Sequence, residues 1–532
     1  MLFQRPLSSF FATGIGLVAG SAALTVNEKD FSHINELRNL VHRVGSVGLR
    51  LPGSKVHNEL VDWISESLHE IPGLEVQGSK YDLDVWEPKE GKNLSEAGDL
   101  CINSKEKCHN TPIVGAIPFT LPTNGSAFTG PLIYIPSNQS ISSVDVRGKI
   151  ILRDFLPLPV PYAYLLKDTH YVTPDLAAQK NGTYERPYLS TPADDLIAAG
   201  ERGANGFISA FDIPRKTLKD YYDPHFGQHY LVPGVYLGSE QYYMLRNASQ
   251  SGHTASIKVS ANTGRKYTRE LFATLPGRSN ETIIIGSHTD GATWVQENGV
   301  AGLLALAKYF ASQPIISPAR AKTLKFAFTS GHLTYSRDGS IPYAKKLDQK
   351  YDGGNLALVI ILEHMGTREL LPYPAPKGQY GRVLNFTGNS EAALWSVGPT
   401  QVVVDAVKAA VKGRMLDGIG VTPGNPPKNT SQIPYYTSQG GIGTTYHNYL
   451  IPTTSIISGP WSLWAPSFGE AAIDFARLRD QLLAVADVVL GLAPASKEEI
   501  AGGYTKYRQM RANGFPWKEP MWNSQYLPGP RG

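Results

Sequence analysis

The sequence predicts an α/β protein, built on a mostly parallel or mixed sheet covered by helices, with a smaller α+β module inserted into it. Three observations carry that expectation. Continuous apolar runs such as residues 282–287 alternate with apolar helical stretches such as residues 300–310, the pattern of strands buried on both faces. From Gly130 to Leu237 the texture changes to short strands and turns. A chain of 532 residues, 42% hydrophobic and 18% charged, exceeds what one ordinary core holds.

Taken in order, residues 1–23 read as a secretory signal. Arg5 supplies the positive end, residues 10–24 an apolar run, and Ser21, Ala22 and Ala23 the small residues of a cleavage site. The run is shorter than the roughly 20 residues a membrane span needs, so no span is expected once the signal is removed. Asn93, Asn124, Asn138, Asn181, Asn247, Asn280, Asn385 and Asn429 each open an Asn-x-Ser/Thr triplet, as in a secreted glycoprotein. The two cysteines, Cys101 and Cys108, flank a short polar loop and are expected to form a disulfide in an oxidising compartment.

Residues 24–124 are expected to begin the larger domain. Phe31, Ile34, Leu37, Leu40 and Val41 recur at helical spacing, as do Leu60, Trp63, Ile64 and Leu68, with a turn over residues 49–54 between them. Residues 125–262 form the inserted module, with strands over 131–135, 148–153, 207–210 and 233–237 and a helix over 194–202. Residues 263–498 return to long strands and helices, the last helix ending near Pro494. Residues 499–532, rich in Gly, Pro, Trp and Tyr, read as a tail lying over the surface without a core of its own.

The strands of the third block stop on residues that bind metals. The first ends on His288 with Asp290 two positions on; the second, residues 323–329, leads to His332; the third, 356–362, is followed by Glu363 and His364; a fourth, 453–457, has His447 upstream. In an open α/β sheet the ligand crevice lies outside the carboxyl ends of the strands, so parallel neighbours would bring these side chains together. Neutral imidazoles and carboxylates at such a junction suit zinc, with Asp290 orienting His288 from behind.

The segments 285–290, 298–299, 326–328, 339–340 and 343–344 resemble the dizinc aminopeptidase family, which includes glutamate carboxypeptidase and the metal-free transferrin receptor ectodomain. The motifs at 148–152, 198–200 and 232–235 are similar to the protease-associated domain often inserted in that family. The resemblance spans residues 30 to 492 and implies a three-layer zinc-exopeptidase sandwich. It also implies departures at the site. The family's first histidine and its aspartate match His288 and Asp290, but the bridging aspartate has only Glu297 nearby. The paired glutamates fall on His332 and Leu333. The next aspartate falls on Glu363 or His364, and residues 458–464 lack the closing histidine.

Two readings follow. In one, a secreted aminopeptidase-like hydrolase acts on peptides or proteins with a rebuilt site, in which His288, His332 and His364 hold one zinc rather than two and Glu297 or Glu363 serves as general base. In the other, the fold persists as an inactive peptide- or protein-binding module. The net charge of +4 is not gathered into a basic stripe, so no nucleic-acid partner is expected. No nucleophile elbow, phosphate loop or His-Glu-x-x-His helix occurs, and His225 with His229 lies in a stretch broken by Pro224 and Gly227.

Overall fold

The computed structural model describes residues 25–89, 92–104, 107–224, 229–334, 339–425 and 431–520. The signal segment 1–23, Asn429 and His225 lie outside the described residues.

Four strands, Ser279–His288 (β1), Lys322–Thr329 (β2), Leu356–Leu362 (β3) and Thr453–Ser458 (β4), form the centre of a nine-stranded sheet in the order β2-β1-β3-β4. All three pairings are parallel. The long strands Glu75–Pro88 and Ala261–Leu275 extend one side as an antiparallel ribbon against β2. On the other side Ala393–Ser396 runs antiparallel to β4, followed by Ile419–Thr422 and Tyr171–Val172. The sheet is therefore mixed with a parallel heart, as the sequence predicts.

Side-chain alternation explains the three layers. Ile283, Ile285, Phe326, Phe328, Leu358 and Ile360 enter the main core. There they meet the helices Ile34–Gly45, Lys55–His69, Gly299–Ser312 (α1) and Phe475–Gly491. Their neighbours Ile284, Ala327, Val359 and Ile361 face the opposite layer with Ala344, Tyr351 and Tyr446. Successive residues of a strand point to opposite faces, and both faces here need cover, so the runs read as unbroken apolar sequence.

A second, eight-stranded sheet is built from residues 98–259. Its centre, Phe128–Tyr134, Ile150–Phe155, Gly206–Phe211 and Gly234–Leu237, is parallel. The sheet starts upstream of residue 125, because Gly98–Ser104 zips antiparallel onto the returning strand Thr254–Val259. The disulfide Cys101–Cys108 links Gly98–Ser104 to its neighbour Lys107–Asn110. Asn93, Asn124, Asn138, Asn181, Asn247, Asn280 and Asn385 are all exposed.

The C-terminal segment departs from the coreless tail expected of it. Helix Lys497–Ala512 is opened by a capping box in which Ser496 and Glu499 satisfy each other's backbone amides. It buries Ile500, Tyr504 and Tyr507. Arg508 ties it to Asp348 and Asp352. The paired glycines 502 and 503 hide this helix in the sequence; Gly502 takes φ of 23° inside it, and Gly503 packs against the backbone of Pro399. No helix among the described residues is long and apolar enough to cross a membrane.

Candidate metal centre

The carboxyl ends of β1, β2 and β3 lie at one edge, and the side chains that follow them meet there. His288 closes β1 and is fully buried. Its Nδ1 donates to the carbonyl of Asp290 at 2.9 Å and stands 3.5 Å from that residue's carboxylate, so Nε2 is the nitrogen that faces the cluster. Asp290 is itself held by the backbone amide of Leu333. Leu333, which carries no ligand atom on its side chain, thus fixes the support of the first histidine.

Glu297 arrives on the loop between β1 and α1. Its Oε1 accepts from the amide of Gly299 at 2.7 Å, which directs Oε2 inward. Oε2 lies 3.5 Å from His288 Nε2 and 3.5 Å from His364 Nε2. Two clamps hold this loop. Asn298 exchanges hydrogen bonds with the carbonyl and amide of Met365, at 2.7 and 2.8 Å. The buried guanidinium of Arg50 donates to the carbonyls of Gly48, Thr293 and Gln296.

Glu363 and His364 follow β3 directly. Glu363 Oε1 accepts from the amide of Ile442 at 2.7 Å, and Oε2 lies 3.9 Å from His288 Nε2. Gly441 is needed beside it, since a Cβ there would stand 2.0 Å from both carboxylate oxygens. His364 takes a left-handed φ of 56°. That conformation costs a non-glycine residue on the order of 1–2 kcal/mol and turns the chain out of the strand. Its Nδ1 donates to the carbonyl of Ser458 at the end of β4. His332, half-buried in the turn beyond β2, places its ring 4.4 Å from that of His288.

These residues form two overlapping donor groups, His288 with His332 and Glu363, and Glu297 with Glu363 and His364, the ligand atoms in each lying within 4.8 Å of one another. The three histidines expected to act together are thus distributed between two groups joined by Glu363. Both glutamates expected to transfer protons lie inside the donor groups. His447 stands elsewhere: its Nε2 donates to the carbonyl of Tyr436 at 2.6 Å and its Nδ1 pairs with the Tyr504 hydroxyl at 2.7 Å. His229 packs edge-on against Phe119, and Trp461 and Trp464 are buried packing residues.

The electrostatics match an electrophile-seeking site. Burial alone would depress His288, but the hydrogen bond and charge of Asp290, with Glu297 and Glu363, outweigh it and hold the imidazole at about 9. Burial pushes Glu297 up to about 8, with His288 opposing and Glu363 reinforcing the shift. Carboxylates buried in a dry pocket are stabilised by a positive charge among them, whether the His288 imidazolium or a bound cation. His288 Nε2 and Glu297 Oε2 are buried without a hydrogen-bond partner. Donors of a tetrahedral zinc, each about 2.1 Å from the ion, stand about 3.4 Å apart, so the separations of 3.5, 3.5 and 3.9 Å fit a shared cation.

Arg50, Asn298, Gly441 and Ile442 were not marked as site residues by the sequence. Residues 49–54 read only as a turn, and the amide of Ile442 has no sequence signature. The pair Gly440 and Gly441 was the one available signal, since glycines mark places where backbone approaches another group closely.

No protein-family model and no curated protein matches the sequence. Solved structures do match. The peptidase M28 precursor from Shewanella amazonensis SB2B has a TM-score of 0.60 at 16% identity, covering 88% of this chain and 94% of its own. The zinc aminopeptidase from Bacillus subtilis has a TM-score of 0.56 at 14% identity, covering 86% and 94%. The aminopeptidase from Aneurinibacillus sp. strain AM-1 has a TM-score of 0.54 at 16% identity, covering 88% and 96%. The chain therefore has the dizinc-aminopeptidase-like fold.

Proposed function

We propose that this protein is a zinc-dependent, aminopeptidase-like hydrolase of peptide bonds, exported as a glycoprotein, with the second sheet serving as a protease-associated module. The observation that carries the reading is the convergence of His288, Glu297, Glu363 and His364 at coordination spacing, with His288 Nε2 and Glu297 Oε2 buried and unsatisfied. Each such buried atom without a hydrogen-bond partner costs about 1–3 kcal/mol, a cost that a bound cation would offset. The exposed sequons support export.

In this reading those four residues would hold one zinc, with Glu363 common to the two donor groups. A bound zinc supplies a water acidified to a pKa of about 7 and a Lewis acid for the peptide carbonyl. Glu297 and Glu363 then serve to hold the ion rather than to move protons, since both side chains are buried and pinned by backbone amides. His332 is the most accessible member of the cluster, and its imidazole takes a proton from water and returns it to the leaving amine.

The test is metal analysis of the secreted protein beside hydrolysis of amino-acid amides. One zinc per chain together with hydrolysis, both lost in His288→Ala, is the expected result. A folded wild type that binds no zinc when titrated would overturn the reading.

A further inference from the structure

Residue pairing between β1 and β2 ends at His288 and Thr329. The turn that follows, residues 330–334, carries His332, so from there side chains take over the task of holding its imidazole against that of His288. The carbonyl of Ser330 accepts from the Tyr81 hydroxyl at 2.7 Å, the amide of Leu333 donates to Asp290, and the Thr334 hydroxyl donates to the carbonyl of Gly331 at 2.8 Å.

His57 reaches the ends of both strands. Ser54 caps helix Lys55–His69 by accepting from the amide of His57 at 3.2 Å, which sets His57 in the first turn with its side chain fully buried. Its Nε2 stands 2.8 Å from the hydroxyl of Thr289, the residue after His288, and 3.4 Å from the hydroxyl of Ser330, two before His332. The Thr289 hydroxyl gives its one proton to the carbonyl of Thr329 at 3.0 Å. Toward His57 it can therefore only accept, which fixes the imidazole as its Nε2–H tautomer. Ser330 pairs in turn with the Thr268 hydroxyl at 2.8 Å.

That tautomer leaves Nδ1 as a bare acceptor, buried and without a hydrogen-bond partner among the described residues. An orphan of this kind costs about 1–3 kcal/mol. A leucine would fill the space without that cost, so packing does not account for a histidine here; the bonds made by its other nitrogen do. Burial lowers the pKa to about 4 against the upward pull of Asp290, so the ring stays neutral, with a single donor, at ordinary pH.

We propose that His57 is a positioning residue of the site: from the first turn of its helix it ties the residue after His288 to the turn before His332, and so holds the proton-moving imidazole in register with the ligand imidazole. This rests on the hydrolase reading above. His57 belongs to neither donor group, so it acts through Thr289 and Ser330.

The experiment compares the full secreted chain with His57→Leu and His57→Gln. Hydrogen exchange is followed by mass spectrometry on metal-free protein, and zinc content and hydrolysis of an amino-acid amide on zinc-loaded protein. In His57→Leu the amides of Thr289 and Leu333 should exchange about tenfold faster, the scale of one lost hydrogen bond, with helix Phe475–Gly491 unchanged. Zinc should stay stoichiometric, and kcat should fall about tenfold with KM within about twofold. Adding His57→Leu to His332→Ala should cost nothing further, because the two act as a unit. His57→Gln, whose side-chain amide can donate where Nε2 does, should restore most of both the protection and kcat. Unaltered exchange, faster exchange throughout the chain, loss of zinc, full additivity with His332→Ala, or a glutamine no better than leucine would each overturn the proposal. A wild type that takes up no zinc defeats the hydrolase reading and with it the catalytic role of His57, whereas a zinc-loaded, active wild type with any of those outcomes defeats the proposal alone.

Discussion

Glu297 Oε2 is equidistant from His288 Nε2 and His364 Nε2, at 3.5 Å from each. In the proposed reading His288, Glu297, Glu363 and His364 hold the cation and His332 moves the proton. His288→Ala and Glu297→Ala should each reduce zinc affinity by two orders of magnitude or more. His332→Ala should retain stoichiometric zinc and lose roughly 100-fold or more in kcat, the usual scale for a general base. Zinc content and steady-state kinetics on the same preparations check this, and loss of zinc in His332→Ala would make that residue a ligand instead.

Arg50 is a buried cation whose guanidinium donates to the carbonyl oxygens of Gly48, Thr293 and Gln296, and its backbone pairs with Gly291 on the same loop. Burial lowers its pKa to about 10 against the opposing pull of Glu297 and Asp290. Burying a guanidinium without a carboxylate is costly, and its persistence follows from what it fixes: the loop that delivers Glu297. Arg50→Lys keeps the charge and loses the fork across Thr293 and Gln296. It should fold with zinc affinity about tenfold weaker, whereas Arg50→Met should also lose on the order of 3 kcal/mol of stability. Zinc titration and urea unfolding of the two variants separate positioning from charge.

The strands and their polar ends were legible because a strand buried on both faces must be apolar throughout, so a histidine or glutamate at its end stands out. His288, His332, Glu363 and His364 are all of this kind. Arg50 was not legible, since its role depends on carbonyls more than 240 positions away. Nor was the grouping of donors, which follows from the left-handed turn at His364 and the reach of Glu297 across α1's first turn. The last helix was missed because its glycines, which elsewhere break helices, here serve close packing against Thr400 and Pro399.

Glu270 on strand Ala261–Leu275 is buried, with Oε2 accepting from Ser79 at 3.1 Å and Oε1 unsatisfied. Burial raises its pKa to about 7, against the hydrogen bond from Ser79. The folded state then binds a proton the unfolded chain has released, so the contribution is full below about 4.5 and is lost as pH rises through 7. Glu270→Gln should therefore stabilise the protein at pH 8, by no more than about 3 kcal/mol, and leave it unchanged at pH 4. Denaturant unfolding at the two pH values checks the sign.

His447 shows the opposite linkage. It joins the short helix Gly443–Asn448 to Tyr504 of the last helix and to the Tyr436 carbonyl. Burial lowers its pKa to about 4, although the Tyr436 hydrogen bond pulls upward. The unfolded chain takes up a proton near 6.5 that the folded chain refuses, so this stability is present above 6.5 and lost as pH falls through 4. Protonation would also make Nδ1 a donor, so the Tyr504 hydroxyl would have to turn and accept instead. His447→Asn should cost about 1–3 kcal/mol at pH 7 and reduce the loss of stability between pH 7 and 4. His57 and His229, each also lowered to about 4 by burial, would account for part of what remains. An unaltered pH slope in His447→Asn would show that the last helix releases before this imidazole charges.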